Sequence, residues 1–412
     1  MKNMNRIKIL VIPSDTSGCG YFRSLKPHTK LAEIYENDFD IDITYNVDWS
    51  DVNSLMKYDI IHIHKGLFQD MNVFRSTLAK CRDNGTVVVM DLDDYWDLGN
   101  FHPGAADAKR YGIDKLIKDN IKLVDYITTT TDIFKKEIEL YHPNVKVFVN
   151  AIDREEEQFI SKPNPSERIR FGFVMGSSHL HDMEMLRGMT NKLSKDILDK
   201  IQFVLCGFDL RGSVTYLDQN GQQHTRPIQP KESVWYEYER IVTDDYRIVS
   251  PQYKEWLNRF IPNAKYPFED NEPYKRRWTK GIMSYCTHYN DIDVLLVPLD
   301  DNKFNSFKSE LKLIESGMLN KAAVVSNFGP YQIGTINYFE KGGNINPDGN
   351  CVLIDKTKAH KDWAKTIEKL VKHPEHIEKL RENLHNSVKD KYDLTNVTHE
   401  RAAWYKEIVK RG

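Results

Sequence analysis

The feature that most constrains the fold of this chain is an alternation of short apolar runs with segments of helical spacing. In the first 150 residues, six short runs have the composition of buried strands, at 7–12, 41–45, 59–64, 86–91, 126–130 and 145–150. Segments with helical spacing lie between several of these runs, for example at 71–84 and 131–140. Strands that alternate with helices indicate βαβ units and a parallel sheet with both faces covered.

The same alternation begins again after a polar stretch that contains Pro163 and Pro165, which is typical of a linker. Its predicted strands lie at 170–175, 202–206, 294–298, 322–326 and 352–355. The pattern also predicts a helix over 183–193, a hairpin with a type I′ turn at 220–221, helical structure from residue 358, and a last helix near 397–409. At about 150 residues per domain, 412 residues suggest two or three domains, and the two successive alternations predict two α/β domains in series.

Composition excludes several classes of protein. The 58 Lys and Arg residues nearly balance the 60 Asp and Glu residues, so the chain is not a globally basic nucleic-acid coat. Five widely spaced cysteines without a C-x-x-C pair argue against a disulfide framework or a zinc site. The apolar run near the start is too short for a membrane span or a signal peptide. We expect a cytoplasmic protein without a transmembrane segment.

The first predicted strand is followed by small residues that point to a ligand site. Gly18, Gly20 and Arg23 lie where a chain turns from a strand into a helix and can expose backbone N–H groups. A plain strand-to-helix turn is the alternative. Two histidines, His62 and His64, lie on one face of the third strand, where we expect one buried and one cleft side chain rather than a metal site.

Three carboxylates follow the fourth predicted strand. Asp91, Asp93 and Asp94 lie at the carboxyl end of an apolar run, where open α/β sheets bind ligands. Crowded carboxylates can supply a base, bind hydroxyl groups, or hold a divalent ion. The alternative is that Asp93 or Asp94 caps the N-terminus of a helix.

The second half repeats the arrangement of a strand followed by small residues. Gly176, Ser177 and His179 precede the helix predicted at 183–193 and can offer N–H groups to an anion, assisted by the helix dipole. Arg277 lies in a basic run with flanking aromatics at 274–280, which fits a diphosphate or a nucleic-acid backbone. The alternative is a solvated surface.

A further group of polar residues follows the strand predicted at 294–298. Lys308 and Ser309 lie near the start of a helix and suit phosphate oxygens, and Glu315, about two turns on, can accept from ribose hydroxyls. Surface ion pairs between residues four apart are the alternative.

Several of these segments together resemble the GT-B glycosyltransferases of the glycogen-synthase-like superfamily (family 4, group 1). The resemblance covers nearly the whole chain, and the Gly-Cys-Gly-Tyr-Phe-Arg and Asp-Leu-Asp-Asp motifs are similar to bacterial and phage members. The segments that carry it are 18–23, 91–94, 125–131, 147–153, 176–179, 293–298 and 308–326.

The resemblance implies two facing Rossmann-like domains and a C-terminal helix that crosses back to the first. The acceptor domain would span 1–160, the nucleotide-sugar donor domain 166–390, and the crossing helix 391–412. The family usually has two glutamates eight positions apart. Glu315 matches the second, but Phe307 occupies the position of the first, and Glu310 or Asn305 are the residues nearby that would replace it.

The resemblance also implies an activity: metal-independent transfer, with retention at the anomeric carbon, of a sugar, a hexose above all, from a nucleotide-diphosphate sugar, with no other cofactor. The implied acceptor is a glycan, a lipid-linked glycan, a protein or a modified DNA base. The implied catalytic residues are Asp91, Asp93, Asp94 and Lys308; the donor-binding residues are Gly176, Ser177, His179, Arg277, Lys308, Ser309 and Glu315; the acceptor or cleft residues are Gly18, Gly20, Arg23 and His64. A non-catalytic nucleotide-sugar-binding partner protein and a phage DNA-base glycosyltransferase are the alternatives.

Overall fold

The computed structural model describes residues 6–66, 71–340, 342–356 and 359–411. These residues form two compact units. Unit 1 contains the described residues up to Glu155, the segment Asn302–Ile314, and the chain from Val388 onward. Unit 2 contains Glu156–Asp301 and Glu315–Ser387. The chain therefore passes from one unit to the other four times.

Unit 1 is built on a six-stranded parallel sheet with the strand order β2-β1-β3-β4-β5-β6. Each of the six runs predicted in this half contributes one strand, so the prediction of a parallel sheet is confirmed. Its strands are β1 (Ile7–Ile12), β2 (Phe39–Ile43), β3 (Ile60–His64), β4 (Val87–Leu92), β5 (Tyr126–Thr129) and β6 (Val145–Val147).

The two central strands of this sheet, β3 and β4, are buried at every residue. Such strands need apolar side chains on both faces, which is why they appear in the sequence as continuous apolar runs. The helices of this part of unit 1 are α1 (Gly18–Gly20), which continues through a π-turn (Tyr21–Leu25) into α2 (Lys26–Ile34), then α3 (Val52–Leu55), α4 (Met71–Asp83), α5 (Ala105–Arg110), α6 (Ile113–Ile121) and α7 (Asp132–Ile138).

Unit 2 has a second six-stranded parallel sheet, in the order β11-β8-β7-β12-β13-β14. The edge strand β11 was not predicted, because its three consecutive basic residues do not resemble a buried strand. A separate hairpin is formed by β9 and β10. The strands are β7 (Ile169–Val174), β8 (Ile201–Phe208), β9 (Ser213–Leu217), β10 (Gln223–Pro227), β11 (Tyr274–Trp278), β12 (Val294–Val297), β13 (Ala322–Ser326) and β14 (Val352–Ile354).

Two local predictions in unit 2 are wrong. The hairpin turn is not type I′, because its loop spans residues 218–222 and a type I′ turn places two residues with positive φ between the strands. The helix predicted at 183–193 is a short α8 (Leu180–Glu184) followed by a 3₁₀ turn (Thr190–Lys192), since Gly188 lies between them at φ 82°. Two further helices, α9 (Lys195–Leu198) and α10 (Val234–Thr243), precede α11 (Pro251–Leu257).

The segment Asn302–Ile314 adds two aromatic side chains to the core of unit 1. The ring centroid of Phe307 lies 4.7 Å from that of Tyr95 and 5.4 Å from that of Phe134. This packing gives a physical reason for an aromatic residue at the position where the resembling family has its first glutamate. The segment contains α12 (Lys303–Ser306) and the start of α13 (Leu311–Met318).

The C-terminal part of the chain is helical, with a break at Pro374 between the first two of its three helices. The last helix belongs to unit 1 and packs on its sheet: Ala402, Tyr405 and Ile408 share one core cluster with residues of β1 and α2. The three helices are α14 (Ala359–Lys372), α15 (Glu375–Val388) and α16 (Leu394–Arg411).

Candidate functional site

Each sheet has a point where the strand order reverses, and polar groups gather at the carboxyl ends of the strands there. In unit 1 the reversal lies between β1 and β3, and in unit 2 between β7 and β12. Open α/β sheets bind ligands outside the carboxyl ends of strands at such a switch point. The two switch points are described separately below.

At the unit 1 switch point, Asp91 and Arg23 form a buried ion pair. The Arg23 guanidinium donates to both Asp91 carboxylate oxygens, at 2.9 and 2.8 Å, and also to the Phe148 carbonyl and the Asn150 side chain. Arg23 is 1% exposed and Asp91 is fully buried. Burial alone would raise the pKa of Asp91, but Arg23 lowers it. Both side chains are therefore held inside the protein and present little surface to a ligand.

Asp93 is held by a second set of partners. Its Oδ1 lies 3.1 Å from His64 Nε2 and 3.1 Å from Lys65 Nζ. Burial raises the pKa of Asp93, yet the charges of Lys65 and His64 hold it well below its usual value. The His64 ring is buried and also contacts Ser14 Oγ at 2.9 Å, so the expectation that one of the two histidines lies in an open cleft is wrong.

Asp94 is the most accessible of the three carboxylates. Its side chain is 35% exposed, and its Oδ2 lies 3.1 Å from Lys65 Nζ. Lys65 has a backbone φ of 64°, which is uncommon for a residue other than glycine and marks a constrained loop. No helix begins at Asp93 or Asp94, so the alternative that they cap a helix is wrong. The structure thus separates three carboxylates that the sequence could not distinguish.

The glycine turn after β1 is shaped by Asp15. The Asp15 Oδ1 atom accepts from the backbone N–H groups of Ser17 and Gly20. A Cβ atom on Gly20 would lie 2.0 Å from the Asp15 carbonyl oxygen, so glycine is required there by the chain itself. Gly18 begins α1. Sequence reasoning missed Asp15 and Lys65, although Lys65 directly follows β3 and Asp15 lies three residues after β1.

Two groups of residues in the described part of the chain have a geometry that can hold a metal ion. One is Cys19, Asp93 and Asp94; the other is His373, Glu375 and His376. In the first group the Lys65 ammonium already lies beside both carboxylates. Burial and the two carboxylate charges also raise the pKa of the Cys19 thiol, which disfavours the thiolate that a metal would need.

At the unit 2 switch point, a loop of small residues follows β7. Residues Ser177–His179 form a 3₁₀ turn, and the hydroxyl of Tyr238 fixes it by accepting from the His179 N–H at 2.9 Å and contacting the Ser177 carbonyl at 3.1 Å. The following α8 has only five residues. The prediction that the dipole of a long helix contributes here is therefore wrong. An anion at this loop would meet its exposed backbone instead.

The backbone conformation of Gly176, in this loop, does not require glycine. Its φ of −90° and ψ of 178° are open to any residue, and a Cβ atom built on it meets no atom within 4 Å. The space beside its Cα is therefore open. A glycine that neither its backbone nor its neighbours require fits a position where a ligand approaches the main chain.

Four ionisable side chains after β7, β12 and β14 form ion pairs and hydrogen bonds in unit 2, and sequence reasoning did not select them. Asp182 accepts from the backbone N–H of Asp300 at 2.8 Å and contacts His179 Nδ1 at 2.6 Å. The carboxylate of Asp300 lies 2.9 Å from both His181 Nε2 and Lys356 Nζ. Asp300 follows β12 and Lys356 follows β14, so strand ends were the signal that could have found them.

The remaining predicted donor residues lie in different places. Lys308 and Ser309 belong to the segment grouped with unit 1, where Asn150 Nδ2 donates to Ser309 Oγ at 2.9 Å. The Arg277 guanidinium contacts Glu269 at 2.9 Å and Asp291 at 2.7 Å, so it is part of an ion-pair network of unit 2. The roles predicted for these three residues stay predictions.

Glu315 is fully buried in unit 2, on α13. Its carboxylate accepts from the hydroxyl of Tyr285 and from that of Tyr289, the latter at 2.6 Å. Glu310 is also buried, and its Oε1 accepts from the Tyr392 hydroxyl at 2.6 Å, within unit 1. Glu310 is therefore buried and hydrogen-bonded within unit 1, and the prediction that it replaces the glutamate of the resembling family at position 307 stays a prediction.

The two sheets define a class of protein: a two-unit α/β fold in which each unit carries its own switch-point site. Comparison with solved structures places this fold as GT-B. Alr3699/HepE of Anabaena, in complex with UDP and glucose, matches over 98% of this chain and 100% of its own, with a TM-score of 0.63 and 10% identity. The resemblance of the sequence to GT-B proteins is thus confirmed at the level of the fold.

Two further solved structures have the same fold. Sucrose-phosphate synthase of Thermosynechococcus elongatus matches over 99% of this chain and 100% of its own, with a TM-score of 0.59 and 11% identity. A glycosyltransferase of Rickettsia africae gives a TM-score of 0.60 at 10% identity over the same shares. No protein-family model and no curated protein matches the chain. Among the described residues, no helix has the length and apolar composition of a membrane span.

Proposed function

We propose that the protein is a glycosyltransferase that uses a nucleoside diphosphate sugar as donor and binds it through the switch point of unit 2. The observation that carries the proposal is the loop at Gly176. It combines exposed backbone at the carboxyl end of β7 with open space where a side chain would otherwise stand. Such a loop lets phosphate oxygens approach backbone N–H groups closely.

The solved structures of the same fold support this choice of donor. Alr3699/HepE is in complex with UDP and glucose in one structure and with UDP-glucose in another, the latter at a TM-score of 0.60 and 9% identity. Identity of 9–10% supports a shared fold but not a shared specificity, so the sugar and the base of the donor are determined by the experiment below.

The transfer breaks the bond between the sugar C1 and the diphosphate oxygen and forms a bond from C1 to an acceptor oxygen. The nucleoside diphosphate leaves with the bonding electron pair, and the acceptor hydroxyl loses its proton. Fixed positive charge near the leaving group lowers the barrier. We assign that role to Lys308, on the strength of the family resemblance. On the same ground we propose metal-independent transfer with retention at C1.

In unit 1 we assign the acceptor contact to Asp94. Asp91 and Asp93 are buried with their oxygens directed at partners inside the protein, whereas Asp94 is partly exposed and has Lys65 beside it. A partly exposed carboxylate accepts hydrogen bonds from sugar hydroxyls without the cost of a deep burial.

Release of nucleoside diphosphate tests the proposal. The protein is incubated with UDP-, GDP-, ADP-, CDP- and dTDP-sugars, with and without a metal chelator. We expect diphosphate release from one donor, undiminished by the chelator. Release from none of them, despite measurable binding, would instead support a non-catalytic nucleotide-sugar-binding protein. The burial of Glu315 and the aromatic residue at position 307 favour that second candidate.

A further inference from the structure

A small polar cavity lies in unit 1 directly after the carboxylates that end β4. Its volume is about 230 Å³, the space of roughly seven or eight water molecules, which suits a single sugar ring. Its wall is formed by the loop from Trp96 to Asn100 together with residues of α5 and α6. None of the residues predicted from the sequence to bind donor or acceptor lines it.

The chemistry of the wall is that of a hydroxyl-binding site. Asp97 and Asp114 supply acceptors, Lys109 supplies a donor, and Asn100 supplies both. The four side chains carry a net charge of −1, which does not favour an anionic ligand. A neutral molecule with several hydroxyl groups could form hydrogen bonds with all four side chains.

The buried indole of Trp96 anchors the cavity wall to the core of unit 1. Trp96 lines the cavity and is 2% exposed, and its Nε1–H has no hydrogen-bond partner among the described residues. Its ring packs on Phe134 and Tyr141, with centroids 5.9 and 5.4 Å away, so the indole holds the wall in place and is not open to a ligand.

The cavity is formed by backbone that has little freedom. Gly99 has a φ of 68°, and a Cβ atom on it would lie 2.6 Å from the ring of Phe101. The Asp97 carboxylate accepts from the Gly99 N–H at 3.3 Å. Because Trp96 is only two residues from Asp94, their Cα atoms are at most about 7 Å apart. The loop that lines the cavity therefore begins close to the residue assigned to the acceptor.

From these observations we infer that the cavity lined by Trp96, Asp97, Asn100 and Asp114 is an acceptor subsite for a neutral hexopyranosyl group. This inference rests on the proposed function, because a hexopyranosyl subsite identifies the acceptor of the transfer as a glycan. The binding site itself can be tested without any transfer reaction.

The test is saturation-transfer NMR with methyl glycosides of glucose, galactose, mannose and N-acetylglucosamine. Two changes should weaken binding at least tenfold: the double variant Asp97→Asn with Asp114→Asn, and Ala108→Phe, which fills the cavity without changing its charge. Asp107→Asn is the matched control, because this exposed residue lies on the same helix α5 and does not line the cavity. We expect the control to bind as the unchanged protein does.

The outcome separates this inference from the proposed function. Binding of nucleoside diphosphate sugars is measured on the same samples and should be equal in all of them. If no glycoside binds, or if the double variant and Ala108→Phe bind as well as the control, the subsite is contradicted even where the nucleotide binds. If a glycoside binds and the variants lose it while no nucleotide binds, the subsite stands and the proposed donor is contradicted.

Discussion

The two switch points differ in what they leave open. In unit 1, Asp91 and Asp93 are paired with basic side chains inside the protein. In unit 2, Asp182 and Asp300 are also paired, but the loop after β7 leaves open space at Gly176. The comparison teaches that similar strand ends can build a paired, charged platform in one unit and an open loop in the other.

The largest expected effect is on stability and tests whether the unit 1 platform is fixed by its buried ion pair. Arg23→Ala leaves Asp91 buried without its partner, which should lower the free energy of unfolding by about 3–5 kcal/mol. Arg75→Ala is the control, because its contact with Asp119 is 3.8 Å long and half-exposed, and it should cost below about 1 kcal/mol. Chemical denaturation measures both. Equal losses in the two variants would show that the platform does not depend on this pair.

Lys308→Ala tests the role at the leaving group that is proposed for Lys308. We expect turnover to fall by about 10²- to 10³-fold with folding intact, since an electrostatic contact to the leaving group is lost. Lys303→Ala, in the same segment and 61% exposed, should keep its activity. Steady-state kinetics with circular dichroism on each variant makes the comparison. Near-normal turnover of Lys308→Ala would remove Lys308 from the mechanism.

Asp94→Asn distinguishes the accessible carboxylate from its buried neighbours. Loss of a charge-assisted hydrogen bond costs about 1.5–3 kcal/mol, so we expect the catalytic efficiency toward the acceptor to fall about tenfold or more. The melting temperature should change little, because the side chain is partly exposed. A variant that melts much earlier but transfers normally would place Asp94 with the structural residues instead.

The smallest effect concerns pH and the turn after β1. Burial raises the pKa of Asp15, but hydrogen bonds from Ser17, Ser14 and Gly20 outweigh it and lower the pKa to about 2. Because the folded value is below the ordinary value of 3.8, Asp15 stabilises the fold above about pH 4 and loses this effect as the pH falls toward 2. Asp15→Asn should show a smaller loss of stability over that range. Identical acid unfolding profiles would contradict this.

Most of the fold was accessible from sequence because buried parallel strands are continuous apolar runs. The exceptions have identifiable causes. Strand β11 was missed because Lys275, Arg276 and Arg277 pair with carboxylates outside the strand, such as Glu239 for Arg276. The helix expected at 183–193 is interrupted in the region of Gly188, because the sequence pattern does not reveal the positive φ of this residue.

The candidate site was only partly accessible for a similar reason. Strand ends located the right regions, but whether each carboxylate is buried and paired depends on partners that come from other elements. Asp91 meets Arg23 from a different element, and Glu315 meets two tyrosines from another. Asp15, Lys65, Asp300 and Lys356 were missed because a single charged residue after a strand carries no distinctive motif.

Calorimetry of nucleoside diphosphate sugars against two glycine variants tests the central claim most directly. Gly176→Ala places a methyl group in the space assigned to the phosphate, whereas Gly281→Ala adds the same methyl group elsewhere in unit 2, also with no atom within 4 Å. We predict that the unchanged protein and Gly281→Ala bind one donor with the same affinity, and that Gly176→Ala binds it about tenfold or more weakly, a difference of about 1.4 kcal/mol. Equal binding by all three proteins, or binding by none, would contradict a donor site at this loop.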